Sequence, residues 1–392
     1  MKDKTAVINK AFNHFDIGGK KVRTVNSPEY RASTILFESS EDMLAAGQGK
    51  YSGIYYGTNR LPNQRELEES INLLENGSLT RIFPSGISAI RHTLLAFLKP
   101  GDHILVWDNV YGPTKNFCKI FLAKLNIETS FVPPEDSDDI NRYIRKNTKL
   151  IFIESPGSIT FEVSDIKKTV EAAENKKIIT VMDNTWATPL LFKPLDHGID
   201  ISIESVTKYI SGHSDILMGS VSLNEKYCDF FDKYCSMAGI TNSGQDCIAA
   251  LKGLKTLDLR LKEHGKNAFY LASWLEKQEI IDQVLYPPLK SHPDHNLWKK
   301  YFKGGSGLFG IIFKDKVTQD KINTFINSLK LFGIGFSWGG YKSLVSVGKV
   351  YRENTENLNG KTVIRISAGL EDIQDLKKDL ESGLKKITGI KN

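Results

Sequence analysis

Cysteine is scarce in this 392-residue chain: Cys118, Cys228, Cys235 and Cys247 are the only four, with no CxxC pair among them. That density excludes a disulfide scaffold and leaves reduced, structural thiols. Histidine is no richer in pattern. His292 and His295 lie in the polar stretch KSHPDHNLW and His213 shares a turn with Asp215, so no ligand set has metal-binding spacing and no metal is expected. No stretch approaches the ~18 consecutive apolar residues of a membrane span. The first residues, MKDKTAVINKAFNHF, have neither an apolar core nor a small-residue cleavage site, so the expectation is a cytoplasmic protein with no membrane partner. The 52 basic and 46 acidic residues are spread along the chain, without a basic block interleaved with aromatics, and nucleic acid is excluded as an expected partner. What is present is the composition of a soluble globular protein, 40% hydrophobic and 25% charged. The length exceeds the roughly 250–300 residues at which single cores stop growing, which predicts two packed units.

Residues 1–55 carry little periodicity and several loop formers (NSPEYRAST, AAGQGK), the character of an arm. A Tyr-, Gly- and Asn-rich loop, YSGIYYGTNRLPNQ, leads into the helical run RELEESINLLEN, ended by Gly77. From residue 79, strand-like and helix-like segments alternate: LTRIFPSG, ISAIRHTLLAFLK, HILVWD, PTKNFCKIFLAKL, ETSFVPP, DDINRYIRKN, KLIFIESP, DIKKTVEAAEN, IITVMDN and ISIESVTK. Several of the strands are unbroken apolar runs, which predicts an α/β fold with a mainly parallel central sheet covered by helices over residues 56–245. A long amphipathic stretch from residue 246, CIAALKGLKTLDLRLKEHGKNAFYLASWLEKQ, reads as a connecting helix. Beyond it, strands at IIDQVLYP, GLFGIIFK and TVIRISAG with helices at QDKINTFINSLK and DIQDLKKDLESGLKKI predict a smaller C-terminal α+β domain within 246–392.

The chemistry gathers at predicted strand ends. In ISIESVTKYISGHSD, Lys208 follows a strand and is preceded by Ser205 and Thr207. Carboxyl ends of strands in open α/β sheets are where ligands bind, and such a lysine suits an aldehyde cofactor carrying a phosphate. Asp183 ends IITVMD and can pair with a protonated pyridine nitrogen. The turn Pro84-Ser85-Gly86-Ile87-Ser88 opens a helix whose free N–H groups suit a dianionic phosphate. Tyr111, just past HILVWD, can stack on a flat ring. Arg365 alternates with apolar neighbours in TVIRIS, and its fork suits a carboxylate. Each has an ordinary counterpart: a solvated lysine, a turn-forming aspartate, a generic strand-to-helix junction, a packing tyrosine, a structural ion pair.

Together these residues carry a resemblance. The segments FPSG, LKPGDHIL, IFIESPGSIT, MDNTWATPLLFKPLDHGIDISIESVTKYISGHSD, FSWGGYKSL and IRISAGLED are similar, in order and spacing, to those of the Cys/Met-metabolism enzymes that depend on pyridoxal 5'-phosphate, and within them most to the bacterial cystathionine β-lyases. The resemblance implies a type I aminotransferase-like fold and a homotetramer of active-site-sharing dimers acting on a small amino-acid substrate. It implies that Lys208 forms the Schiff base and shuttles the proton, that Asp183 pairs with the ring nitrogen, and that Gly86, Ile87, Ser205 and Thr207 hold the phosphate. Tyr111 would stack on the ring, Arg365 would take the substrate carboxylate, and Ser337 and Trp338 would fall on the substrate side. Tyr56 would reach the phosphate of another subunit. The family's arginine two residues after that tyrosine is missing here, since Gly57, Thr58 and Asn59 follow; Arg60 is the nearest substitute.

The implied reaction is β-elimination of L-cystathionine to homocysteine, pyruvate and ammonia, a step of methionine biosynthesis. The same site chemistry supports γ-elimination or γ-replacement, cysteine desulfhydrase activity, and racemisation of an amino acid such as alanine with Tyr111 as a second proton carrier. A scaffold that has lost catalysis and serves as a binding module is the non-enzymatic alternative.

Overall fold

The computed structural model describes residues 2–10 and 14–389. Its larger sheet has seven strands: β1 (Leu79–Phe83), β2 (His103–Trp107), β3 (Glu128–Val132), β4 (Thr148–Glu154), β5 (Ile179–Asp183), β6 (Ile201–Glu204) and β7 (Gly219–Leu223). Their order is β1-β7-β6-β5-β4-β2-β3. β7 runs antiparallel to both neighbours, and the remaining pairs are parallel. The parallel arrangement explains the apolar runs: Ile104 to Trp107 and Leu150 to Ile153 are buried residue after residue because both faces of the sheet are covered. As a result β2, β4, β5 and β6 all end on one edge, where the loops bearing Tyr111, Glu154, Asp183 and Lys208 begin.

The second sheet contains β8 (Ile281–Leu285), β9 (Leu308–Phe313), β10 (Gly333–Ile334), β11 (Leu344–Lys349) and β12 (Thr362–Ser367), in the order β8-β9-β12-β11-β10. A 32-residue helix, Gly244–Leu275, ties the two sheets together. Its first half buries Ala250, Leu254, Leu257 and Leu261 against Leu67, Ile71 and Tyr209; its second half buries Ala268, Leu271 and Leu275 in the core that holds Phe309 and Leu380. The leucines among them contribute about 1.5–3 kcal/mol each when fully buried. Among the described residues no helix is long and apolar enough to cross a membrane.

Local differences from the expectations have physical causes. DDINRYIRKN forms a single 3-10 turn, Ile140–Tyr143, because its apolar residues span little more than one turn and Asp139 makes no side-chain cap. The helix Pro62–Glu75 is closed by Asn76 in the left-handed region (φ 56°), one residue before Gly77. PTKNFCKIFLAKL begins as a helix at Gly112–Asn116 and widens into a π turn over Phe117–Leu122. Strands β7, β10 and β11 were not expected from the sequence: GSVSL has the small and polar composition of a turn, and β11 is only partly buried. Cys118 and Cys235 are buried, which pushes their thiols up to about 12.

Candidate active site

Lys208 sits in a tight turn after β6, in which its amide donates to Ser205 O and its carbonyl accepts from Gly212 N (3.0 and 2.8 Å). The connecting helix braces this turn from beneath. Arg260 Nη1 donates to Tyr209 O at 2.8 Å, and Gly253 lies so close that a Cβ there would meet Ser211 O at 2.1 Å. From the other sheet Gly339 (φ +82°) presses on the lysine's own backbone, a conformation and a distance that exclude larger residues. The result is a fixed base for a side chain whose Nζ donates to Ser337 Oγ at 2.8 Å and lies 5.5 Å from the Trp338 ring centre. Burial, reinforced by the positive charge of Arg365, lowers the Lys208 ammonium to about 8, while Asp183 opposes the shift.

Asp183, at the end of β5, is buried, and its Oδ1 accepts from Thr185 N and Thr185 Oγ1 (3.1 and 2.5 Å). The Thr185 hydroxyl in turn accepts from Ser205 N at 2.8 Å, locking the β5 and β6 loops together. Burial raises the Asp183 carboxyl despite these donors and despite Lys208. Its Oδ2 has no hydrogen-bond partner among the described residues, so a buried acid is left in want of a cation. In register beside it, Glu154 ends β4, accepts the Tyr111 amide at 2.6 Å, and is raised well above its ordinary value by burial and then by Asp183. Arg365, on β12, is partly buried and makes no ion pair among the described residues; burial lowers it, and Tyr111 and Glu154 are the charges that oppose this.

The phosphate end is equally open to a guest. Ser85 caps the helix Gly86–Phe97, with its hydroxyl accepting from Ser88 N at 3.1 Å. The Gly86 and Ile87 amides donate to nothing among the described residues, and neither does the Ser205 hydroxyl. A Cβ on Gly86 would lie 2.7 Å from Ser205 Oγ, so glycine is what allows the helix start and the lysine turn to meet. An unpartnered carboxylate oxygen, two free amides, a free hydroxyl and an unpaired guanidinium fit an anionic pyridinium cofactor and a carboxylate-bearing substrate.

Lys208, Asp183, Gly86, Ile87, Ser205, Ser337, Trp338, Tyr111 and Arg365 are thus brought to one edge of the sheet. Thr207 stands in the same turn, but its hydroxyl is engaged with Met218 N and O (2.9 and 3.1 Å). Tyr56, just past the arm, is half exposed, in a lone bridge to Thr34, and is not joined to this cluster. Arg60 is turned into its own chain, where it pairs with Glu68 at 2.7 Å and Asp232 at 3.4 Å. The sequence reading missed Glu154 and Thr185. The signal was available for Glu154, which ends the apolar run KLIFIE as Asp183 ends IITVMD.

Comparison with known proteins adds an independent line. The family model for Cys/Met metabolism PLP-dependent enzymes matches residues 5–385. A putative cystathionine beta-lyase of Rhizobium johnstonii is 40% identical over 406 residues, covering 100% of both chains. An L-alanine/L-glutamate racemase of Wolbachia pipientis wMel is 38% identical over 99% of this chain and 98% of its own, and cystathionine beta-lyase MetC of Escherichia coli is 35% identical over 93% and 94%. Among solved structures, metB from Corynebacterium glutamicum aligns with a TM-score of 0.89 and 29% identity, covering 99% of this chain and 98% of that one. The type I aminotransferase-like arrangement is therefore the fold of this chain.

Proposed function

The chain belongs to the Cys/Met metabolism PLP-dependent enzymes, and we propose that within this family it is a carbon–sulfur lyase that cleaves L-cystathionine to homocysteine, pyruvate and ammonia. The observation that carries the reading is the cluster around Lys208: a lysine lowered to about 8, an acid with an unpartnered oxygen, and an unpaired arginine on one edge of the sheet. Similarity to the cystathionine beta-lyases supports the choice of substrate.

Pyridoxal 5'-phosphate supplies, when bound, an aldehyde that condenses with amines and a ring that takes up the electron pair released at the substrate Cα. The Gly86 and Ile87 amides and the Ser205 hydroxyl would hold its phosphate, and Asp183 would pair with its ring nitrogen. The Tyr111 ring, its backbone fixed by Glu154, would stack on the cofactor ring. Arg365 takes the substrate carboxylate and so orients the Cα–H bond. Lys208 Nζ removes the Cα proton, and the burial that lowers its ammonium to about 8 in the cofactor-free protein favours the neutral amine this requires. The Cβ–S bond then breaks with its electron pair going to sulfur, the proton held on Lys208 Nζ is available to that departing thiolate, and one water hydrolyses the remaining three-carbon imine to pyruvate and ammonia.

A second reading is racemisation of a small amino acid, favoured by the racemase name of the Wolbachia relative and by a Tyr111 hydroxyl that has no partner among the described residues. Pyruvate release from L-cystathionine, measured beside ketobutyrate release and beside D-alanine and D-glutamate formation, separates the readings. Absence of pyruvate from cofactor-loaded protein would eliminate the first.

We further propose a cytoplasmic homotetramer in which the arm lies on a second copy. The exposure of Val25, Leu36, Met43 and Leu44 supports this, since a free arm would leave them in water. Light scattering of the purified protein tests the assembly; a monomer would refute it.

A further inference from the structure

The hairpin formed by β11 and β12 carries Arg365 on its return strand, and its long loop, residues 350–361, does not stay with its own sheet. It reaches over to the large sheet and is held there at a buried carboxylate. Asp108, only 2% exposed, accepts the backbone amides of Glu353 and Asn354 (2.7 and 3.3 Å) and pairs with Lys115, whose Nζ also donates to Tyr351 O at 2.9 Å. Beside this clasp, Asn354 Nδ2 donates to Phe131 O at 2.6 Å and Arg352 pairs with Glu162.

Asp108 is also the first residue after β2, three positions before Tyr111, and its own amide is fixed to Val132 O at 2.8 Å. A single buried side chain therefore joins the loop that presents Tyr111 to the hairpin that presents Arg365. We propose that Asp108 is a positioning residue: by clasping the tip of the β11–β12 hairpin it sets Arg365 and Tyr111 relative to each other across the substrate space. The inference rests on the roles given above to those two residues. It needs no particular outcome at the substrate's Cβ.

Carboxylate acceptors of backbone amides form strong bonds, and misplacement of a binding group by a fraction of an ångström is enough to weaken substrate capture. Asp108→Ala in the cofactor-loaded protein should lower kcat/KM by about ten- to a hundred-fold, carried mainly in KM, while the visible absorbance of bound cofactor is retained. Asp108→Asn, which keeps an oxygen for the two amides, should recover most of the loss. Lys115→Met, which leaves the carboxylate in place, should fall between.

Two readouts are independent of which reaction is catalysed. Glycine, titrated through the change in cofactor absorbance, should bind about ten-fold more weakly to Asp108→Ala. Hydrogen exchange should be faster at the Glu353 and Asn354 amides, and also at the Tyr111 amide. Faster exchange at 353 and 354 with unchanged glycine binding and an unchanged Tyr111 amide would reduce the clasp to a structural tie and overturn the proposal. Should Asp108→Ala fail to fold, glycine binding to Lys115→Met decides, and wild-type affinity there overturns it. A wild-type protein that releases no pyruvate yet binds glycine in an Asp108-dependent way would refute the lyase reading alone.

Discussion

Glu154 and Asp183 are register partners at the carboxyl ends of adjacent parallel strands, a partly buried and a buried carboxyl side by side. Two such acids do not both ionise cheaply, and the one with an outside cation to face is the one that can. Glu154 already accepts the Tyr111 amide and feels the Arg365 charge, whereas Asp183 has an oxygen without a donor among the described residues. Glu154→Gln should therefore change kcat by no more than about three-fold, while Glu154→Ala, which frees the Tyr111 amide, should cost up to about ten-fold. Asp183→Ala should cost about 10²–10³ in kcat. Steady-state rates with cofactor occupancy measured in parallel check all three; a Glu154→Gln enzyme as impaired as Asp183→Ala would contradict the division of charge.

Lys208 and Arg365 are coupled through their charges, and the sign follows directly. A nearby guanidinium disfavours a second cation, so it helps burial to bring Lys208 down to about 8. Replacing Arg365 by Leu removes that repulsion and raises the lysine. In cofactor-free wild-type protein the rate of recombination with pyridoxal 5'-phosphate should climb as pH rises through about 8, where the amine loses its proton. In Arg365→Leu the same climb should move to higher pH. An unmoved or lowered midpoint would show that the two charges do not sense one another.

The placement of this site at strand ends is legible in the sequence, because parallel strands advertise themselves as apolar runs and their last residues must lie on one edge. Asp183 and Lys208 were found in that way, and Glu154 obeys the same rule. What the sequence hides is pairing between distant segments. Nothing in LFGIGFSWGG says that Ser337 will meet Lys208, nor does YRENTEN announce that its amides will converge on Asp108. The antiparallel strand Gly219–Leu223 was invisible for a related reason: small residues are required where it crosses the helix start at Ser85 and Gly86, and small residues read as a turn.

Beneath the site, Glu75 and Glu204 form a second buried acidic pair. Burial raises Glu75 to about 8 even though Ser202 Oγ donates to it at 2.9 Å, and Glu204 is raised well above its ordinary value by burial and by Glu75. A carboxyl whose folded pKa lies above its unfolded value of 4.5 contributes fully below that value, and its contribution is lost as pH rises toward the folded pKa. The cofactor-free protein should therefore lose melting temperature between pH 4.5 and about 8, and Glu75→Gln should flatten that decline. Parallel slopes for the two proteins would mean that Glu75 is ionised in the fold.

Arg60 offers the sharpest contrast between a role taken from resemblance and a role visible in the structure. As the nearest arginine after Tyr56 it is the candidate phosphate cation, yet its guanidinium pairs with buried Glu68, which also receives Arg81, and with Asp232. Burial holds the Glu68 carboxyl above its ordinary value even against both arginines, so loss of one of them leaves an acid poorly compensated. Arg60→Met should destabilise the protein by about 1–3 kcal/mol and leave the cofactor dissociation constant within about two-fold. Chemical denaturation and cofactor titration separate the two effects, since a phosphate ligand would show the reverse, weaker cofactor binding at unchanged stability. That reverse outcome would require Arg60 to leave Glu68 when a second copy closes over the site, and would return it to the role the resemblance implies.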